Sequence, residues 1–151
     1  MGEDQELINK MGSEFQIQFK NLGQALVDLT PEDWEKLYFL GRVENNSFKG
    51  NYILKVKNQI ENKEKYFDFF DEKTSERFND TITALQEIYM ILKKYEQSVF
   101  NELIFILESN GKFEVKYLYQ EIEEDDYFSE RFQNWKKEIE KEEFGEMGSE
   151  N

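Results

Sequence analysis

The sequence predicts an α+β domain: a mostly antiparallel sheet of about five strands packed with two long helices and a C-terminal helix. Apolar residues recur at helical spacing in two long segments, and short runs rich in β-branched and aromatic residues lie between turn-forming residues. Aromatic residues make up 16% of the 151 positions, which is enough for a substantial core. We expect the whole chain, residues 1–151, to form one domain.

The first long helix is predicted from Leu7 to Leu29, where leucine, methionine and phenylalanine recur every three or four positions. That spacing draws one apolar stripe along an amphipathic helix. Thr30, Pro31 and the two acids that follow are typical of a helix start, so a short helical turn is expected there. Trp34 would then point inward as an anchor.

Three strands are predicted in the next part of the chain. The β-rich runs 37–44 and 52–57 are separated by residues 45–51, which are rich in Asn and Gly, so a first hairpin is expected. A third strand is predicted over residues 65–71, after a charged turn at residues 61–64.

The second long helix is predicted from Ser75, a suitable N-terminal cap, to about Gln97. A second hairpin follows, in which the runs 103–107 and 113–119 flank Asn110-Gly111, a dipeptide that favours a tight two-residue turn. The first of these runs is apolar on both faces, which predicts a strand that is central in the sheet or covered on both sides.

The last helix is predicted from Ser129 through Trp135 and Ile139, whose spacing is helical. Residues 142–151 show no pattern and are expected to fray.

The composition excludes several classes of function. The chain has 33 acidic and 19 basic residues, a net charge of −14, which disfavours direct binding to nucleic acid. It has no Cys and no His, so disulfides, thiolate metal sites and Ser-His or Cys-His catalysis are excluded. We predict no cofactor and no metal. Apolar runs stay below the roughly 18 residues that span a bilayer, and a cytoplasmic location is expected.

An acidic cluster is the candidate binding site. We expect contact with a protein partner through Glu114, Glu121, Glu123, Glu124, Asp125 and Asp126. The cluster lacks the spacing and the glycine of a calcium-binding loop, so a solvated turn or a protein-binding surface is favoured over a metal site. Residues 108–151 contain fourteen acids and six bases, a balance of −8. Such a field can steer a basic partner, a nuclease for example, or simply keep the surface soluble.

Five aromatic residues could line a pocket, form binding hot spots or belong to the core: Trp34, Tyr38, Tyr117, Tyr119 and Trp135. The three that concern the fold are Trp34, Tyr38 and Trp135. Aromatic residues at strand and helix spacing are more often core residues. We assign these three to the stability of the fold.

Three segments resemble one family of proteins. Thr30-Pro31-Glu32-Asp33-Trp34-Glu35-Lys36-Leu37-Tyr38, after an amphipathic helix, resembles the Pro-x-x-Trp-Glu-Lys-x-Tyr segment of the YezG-like immunity proteins. Residues 105–117 are similar to the second hairpin of that family, in which an apolar strand turns at an acidic, Gly-Lys-containing corner into a Tyr-bearing strand. Residues 131–137, with Trp135, are similar to the Arg-then-Trp pattern on its last helix.

The resemblance implies a small cytoplasmic α+β antitoxin of Gram-positive bacteria. Such a protein is encoded with a toxin that a type VII-like system exports, often a nuclease, and it binds the toxic domain before export. The resulting hypothesis is an immunity protein that neutralises its toxin by stoichiometric binding and catalyses nothing. Two alternatives remain: an intracellular scaffold or regulator without a toxin, and a carboxylate-based, metal-dependent enzyme. The oligomeric state is left open.

Overall fold

The computed structural model describes residues 2–30, 33–56, 59–62 and 72–144. These residues form three helices and five strands, which confirms the predicted α+β class. In chain order they are α1 (Gly2–Asp28), β1 (Lys36–Glu44), β2 (Ser47–Val56), β3 (Gln59–Asn62), α2 (Glu72–Lys94), β4 (Glu102–Glu108), β5 (Phe113–Leu118) and α3 (Phe128–Phe144).

The five strands form one antiparallel sheet in the order β3-β2-β1-β4-β5. Strand β4 lies between β1 and β5, so the prediction that this apolar strand is an interior one is confirmed. Among the described strands, β5 pairs with β4 alone and forms an edge of the sheet.

Helices cover both faces of the sheet. One core joins α1 and α2 to alternate residues of β1, β2 and β4, including Leu37, Phe39 and Leu103. A second, smaller core lies under α3 and contains Tyr38 and Leu40, which point to the other face of β1. The period of two along each strand thus places each side chain of β1 under one helical layer or the other.

Both hairpin turns differ from the predicted ones. The first is only Asn45-Asn46, both in the left-handed region with φ of 47° and 64°, because asparagine tolerates the geometry of a two-residue turn. In the second, the Gly111 N–H donates to the Glu108 carbonyl at 2.9 Å, and the Glu108 N–H donates to the Lys112 carbonyl at 2.8 Å. This loop therefore has three residues, with Gly111 at φ 93° in the left-handed position that follows a common turn, and the two-residue prediction is wrong.

The turn predicted at residues 61–64 is wrong for Glu61 and Asn62, which belong to β3 and pair with β2, and its other two residues lie outside the described ones. The strand predicted over residues 65–71 lies outside the described residues, as do Pro31 and Glu32 of the predicted helical turn. Helix α3 continues to Phe144, so residues 142–144 are helical where fraying was expected. The rest of that expected tail, residues 145–151, is not among the described residues.

Candidate functional site

The predicted acidic cluster lies on the connection between β5 and α3, which we call the acidic loop (residues 119–127). Four of its five carboxylates, at Glu121, Glu123, Glu124 and Asp125, are exposed and lie apart from Arg42. Within the described part of the chain, none of the four forms an ion pair. Their charge is therefore free to act on a partner.

The start of the acidic loop is tied to the sheet by Asn101. Its side-chain amide donates to the carbonyls of Tyr119 and Gln120 at 3.1 and 2.7 Å. Further along, the Asp126 N–H donates to the Glu123 carbonyl at 3.1 Å and closes a turn around the exposed acids. The loop is thus a fixed structure rather than an open linker.

Arg42 holds the other end of the acidic loop. It lies on β1, on the face covered by α3, and it is 0% exposed. Its Nη1 donates to the Asp126 carbonyl at 2.7 Å, and its Nη2 donates to the Asp126 carboxylate at 3.2 Å. A buried strand residue therefore sets the position of the loop.

Arg42 is also the centre of a buried ionic network. Its Nε and Nη2 donate to Glu102 on β4 at 2.9 and 2.7 Å, and its Nη1 donates to Glu44 at 3.2 Å. All five guanidinium N–H groups thus have acceptors when Asp126 is included. Arg131 on α3 donates to the second oxygen of Glu102 at 3.0 Å. Burial would lower the pKa of Arg42, but the contacts with Glu102 and Asp126 outweigh it and raise that pKa.

A cleft of about 530 Å³ lies between the acidic loop and the adjacent end of the sheet. It is lined by Val43, Glu44, Asn45, Asn101, Glu121, Ile122, Glu123 and Glu124. No group of three or more carboxylates in the described ranges is arranged to hold a metal ion. The cleft therefore presents negatively charged side chains to a partner.

Two of the predicted contact residues, Asp126 and Glu114, lie in different surroundings from the other four. The Asp126 carboxylate turns towards Arg42, although 42% of its side chain is exposed. Glu114 lies on β5, 62% exposed and 3.9 Å from the Lys116 ammonium. Tyr119, where the acidic loop begins, is the fifth residue after Glu114, which is roughly 16 Å along an extended strand. The structure therefore groups Glu121 to Asp126 and leaves Glu114 apart from them.

The three aromatic residues assigned to the fold contact its two cores. Tyr38 and Trp135 are 2% and 3% exposed, and their rings meet edge to face with centroids 6.4 Å apart. Trp34 is half-buried and packs against the core under α1 and α2.

A second charged cluster was not predicted from the sequence. Glu143 on α3 accepts hydrogen bonds from Lys36 at 3.0 Å, from Lys55 at 3.1 Å and from the Tyr38 hydroxyl. Burial alone would raise the pKa of Glu143, but these donors outweigh it and lower that pKa to about 2. One signal could have revealed this cluster: Glu143 lies four residues after Ile139 and thus continues the inward face of α3.

The Arg42 network had a comparable signal. Arg42 follows Tyr38 and Leu40 at a spacing of two, so a charged side chain stands on an inward face of β1 and needs a buried partner.

The comparison with protein families identifies the chain. The model of the YezG-like immunity proteins matches residues 15–151, so the chain belongs to that family and the resemblance is confirmed. A search of curated proteins found none that matches the chain. The family supports an immunity role, implies a protein toxin as the partner, and is generally non-enzymatic. No helix in the described part of the chain is long and apolar enough to cross a membrane.

Proposed function

We propose that this protein neutralises a secreted nuclease toxin by binding the toxic domain stoichiometrically, without catalysis of its own. Membership of the immunity family supports the toxin as partner. The nuclease class depends on one observation: the acidic loop carries four exposed carboxylates that have no ion-pair partner among the described residues, and hydrogen bonds hold the loop at both ends.

A nuclease fits this loop because its substrate is a polyanion. Surfaces that bind nucleic acid carry lysine and arginine towards the phosphates. Carboxylates at Glu121, Glu123, Glu124 and Asp125 complement such a surface and accelerate the encounter with it. Because Asn101 and Arg42 already hold the loop, little conformational entropy is lost when it binds.

The predicted contact residues take different parts in this proposal. Glu121, Glu123, Glu124 and Asp125 contact the toxin directly. Asp126 adds charge at the edge of that surface and fixes the loop through Arg42. Glu114, apart from the others on β5, provides a peripheral contact.

The proposed setting follows from the family resemblance. The protein acts in the cytoplasm of a Gram-positive bacterium, where a toxin destined for a type VII-like secretion system is made beside it. Binding keeps the toxin inactive until export, either by covering the active site or by holding an inactive conformation.

An activity titration tests the proposal. The toxin domain encoded next to this gene is co-expressed with the protein, separated from it and assayed for cleavage of DNA and RNA. We expect cleavage to fall linearly as the protein is added and to end at one equivalent. Persistent cleavage at an excess of the protein, or a toxin domain that cleaves neither nucleic acid, would contradict the proposal.

A basic nuclease of unrelated fold is the control for this titration. It must keep its activity in the presence of the protein. Inhibition of both nucleases would mean that negative charge alone, rather than a cognate interface, causes the effect.

A further inference from the structure

Strand β5 has an open outer edge. The carbonyls of Lys112, just before the strand, and of Leu118, at its end, accept hydrogen bonds of 2.8 Å from the side of β4. Because the backbone groups of successive strand residues point in opposite directions, the even-numbered residues face β4 and the odd-numbered ones face away. The outward groups belong to Phe113, Val115 and Tyr117. No other strand in the described part of the chain pairs with them.

The side chains of β5 are arranged symmetrically about Val115. Glu114 and Lys116 flank it, 62% and 54% exposed, and alternation places both on the face of the sheet that carries α3. Phe113 and Tyr117 lie two residues to either side, on the face of α1 and α2. In an antiparallel pair of two such strands, each charged side chain meets one of opposite sign.

We propose that two copies of this protein dimerise by antiparallel pairing of their β5 edges about a two-fold axis at Val115. In this register Glu114 of each copy stands opposite Lys116 of the other, and Phe113 stands opposite Tyr117. The residues with outward backbone groups face each other, so about six backbone hydrogen bonds form across the axis. The inference does not depend on the proposed function, because it needs no toxin.

Charge and hydrogen bonding together select this register. A shift of one strand by one residue sets outward backbone groups against inward ones and loses the hydrogen bonds. A shift by two places Glu114 opposite Glu114 in one direction and Lys116 opposite Lys116 in the other, and like charges directly opposite each other destabilise a strand pair. Strand β5 thus carries its own complement, which favours a second copy over a toxin strand at this edge.

The same register covers exposed aromatic side chains. Phe113 and Tyr119 are 53% and 54% exposed. An apolar groove of about 310 Å³ lies between α1 and this hairpin, and the residues that line it include Phe19, Gly111 and Phe113. Tyr119 of the second copy stands opposite Gly111 and diagonal to Phe113, at the mouth of the groove. Apolar contact on this face therefore adds to the hydrogen bonds and the charge pairs.

The acidic loops do not meet in this arrangement. Each copy carries a net charge of −14, which opposes association. The two strands run in opposite directions, so the loops begin at opposite ends of the joined edge, with the two Tyr119 residues roughly 26 Å apart along the strands. Charges at that distance are largely screened at physiological salt, where the Debye length is about 8 Å. Both acidic loops therefore remain available, one toxin for each copy.

The chain offers a charge exchange as the test. Glu114→Lys sets lysine opposite lysine on both sides of the axis, and Lys116→Glu sets glutamate opposite glutamate. The double variant Glu114→Lys/Lys116→Glu restores opposite charges. Glu87→Lys makes the same change in net charge as Glu114→Lys at an exposed position of α2 and is the control. All three positions are exposed, so the variants retain the fold.

Sedimentation velocity at physiological salt measures the equilibrium between monomer and dimer. We expect the unaltered protein, the Glu87→Lys control and the double variant to dimerise with a Kd on the order of 10 μM, as suits a small interface. Each single variant should raise Kd about tenfold or more. An equimolar mixture of the two single variants should dimerise like the unaltered protein, because the lysines of one copy meet the glutamates of the other.

Several results would overturn the inference. An unaltered protein that stays monomeric well above the expected Kd has no such dimer, and dimers that both single variants retain use another surface. Failure of the mixture to dimerise would mean that the substitutions act within one chain. A monomer whose binding to the toxin domain is weakened by both single variants would assign the edge to a toxin strand instead. The proposed function stands in each case, since the activity titration tests it separately.

Discussion

Arg42 occupies a position where the alternation of β1 calls for an apolar side chain. Tyr38 and Leu40 precede it on the same face, and both are buried. A guanidinium tolerates this place because every one of its N–H groups has an acceptor, so the loss of hydration is offset by ionic hydrogen bonds. Removal of one acceptor would leave part of the buried guanidinium unpaired and would lower the stability of the fold.

The substitution Glu102→Gln tests how far the stability of the fold depends on these acceptors, because it removes a charge and keeps the side-chain volume. The substitution removes the charge that faces both Arg42 and Arg131, so we expect the free energy of unfolding to fall by roughly 2 to 4 kcal/mol. Urea denaturation followed by circular dichroism gives the value. Glu114→Gln, on an exposed strand position, is the control and should change stability by less than about 0.5 kcal/mol. Equal effects of the two substitutions would show that the network contributes nothing to stability.

Glu143 makes stability depend on pH in the acid range. Its pKa of about 2 in the folded protein lies below the ordinary 4.5, so its contribution is complete above about pH 4.5 and is lost as the pH falls towards 2. With allowance for solvent around Lys36, we expect Glu143→Gln to lower the free energy of unfolding by roughly 2 kcal/mol at pH 7. The difference from the unaltered protein should shrink towards zero near pH 2.

Denaturation curves between pH 2 and pH 7 measure this difference. Glu142→Gln is the matched control, because Glu142 is exposed on the same turn of α3. A constant difference between Glu143→Gln and the unaltered protein across the whole range would contradict the assigned pKa.

At the scale of elements, side chains of α2 pack against two glycines of the sheet. Gly41 on β1 and Gly50 on β2 are directly opposite each other in the hairpin. A Cβ atom at Gly41 would lie 2.7 Å from a methyl carbon of Leu85, and one at Gly50 would lie 2.6 Å from the Phe39 ring and 2.9 Å from a methyl carbon of Ile82. The two glycines thus leave space for Leu85 and Ile82 of α2 against the sheet.

Gly41→Ala should therefore lower the free energy of unfolding by about 1 to 3 kcal/mol, because Leu85 is fully buried and cannot move aside freely. Gly12→Ala is the control: nothing lies within 4 Å of the added atom in the middle of α1, and we expect a gain of up to about 1 kcal/mol. Thermal unfolding of both variants compares the two. A Gly41→Ala variant as stable as the unaltered protein would mean that α2 packs less closely than described.

The elements show what the sequence could predict and what it could not. The long helices and the interior strand were predicted because their signals are local periodicities. The two-residue turn at Asn110-Gly111 was wrong because the same dipeptide also suits a three-residue loop with glycine in the left-handed position. Strand β3 was missed because Gln59–Asn62 is a short, largely polar segment at the sheet edge, where the apolar alternation used to recognise strands is weak.

The same distinction applies to the candidate site. The acidic loop was visible in the sequence because its carboxylates are adjacent along the chain. The contacts that hold the loop were not visible in the sequence. Arg42 lies 60 residues from Glu102 and 84 residues from Asp126, and only the folded sheet brings these residues together. Lys36 and Glu143 are likewise 107 residues apart.

For the molecule as a whole, the arrangement of charge matters more than its total. Arg42, Arg131 and Lys55 are engaged with carboxylates at or beneath the surface. In the acidic loop, the exposed carboxylates of Glu121, Glu123, Glu124 and Asp125 have no such partner among the described residues. The acidic loop is therefore a local surface from which part of the net charge of −14 can act on a partner at short range.

Charge reversal at two sites distinguishes a contact made by the acidic loop from steering by the net charge of the whole protein. Glu123→Lys/Glu124→Lys changes the acidic loop, and Glu76→Lys/Glu87→Lys makes the same change in net charge on α2, which packs on the other face of the sheet. If the loop contacts the toxin, the first variant should associate about tenfold more slowly at low salt and show a flatter salt dependence, while the second should change little.

Stopped-flow association at several salt concentrations measures both variants. Asp126 stays unaltered in this test, because a lysine there would face Arg42 and destabilise the fold. Both variants should keep the melting temperature of the unaltered protein, so a slower association reports on the interface alone. Equal slowing by the two variants would mean that the whole molecule steers the toxin and that the loop has no contact of its own.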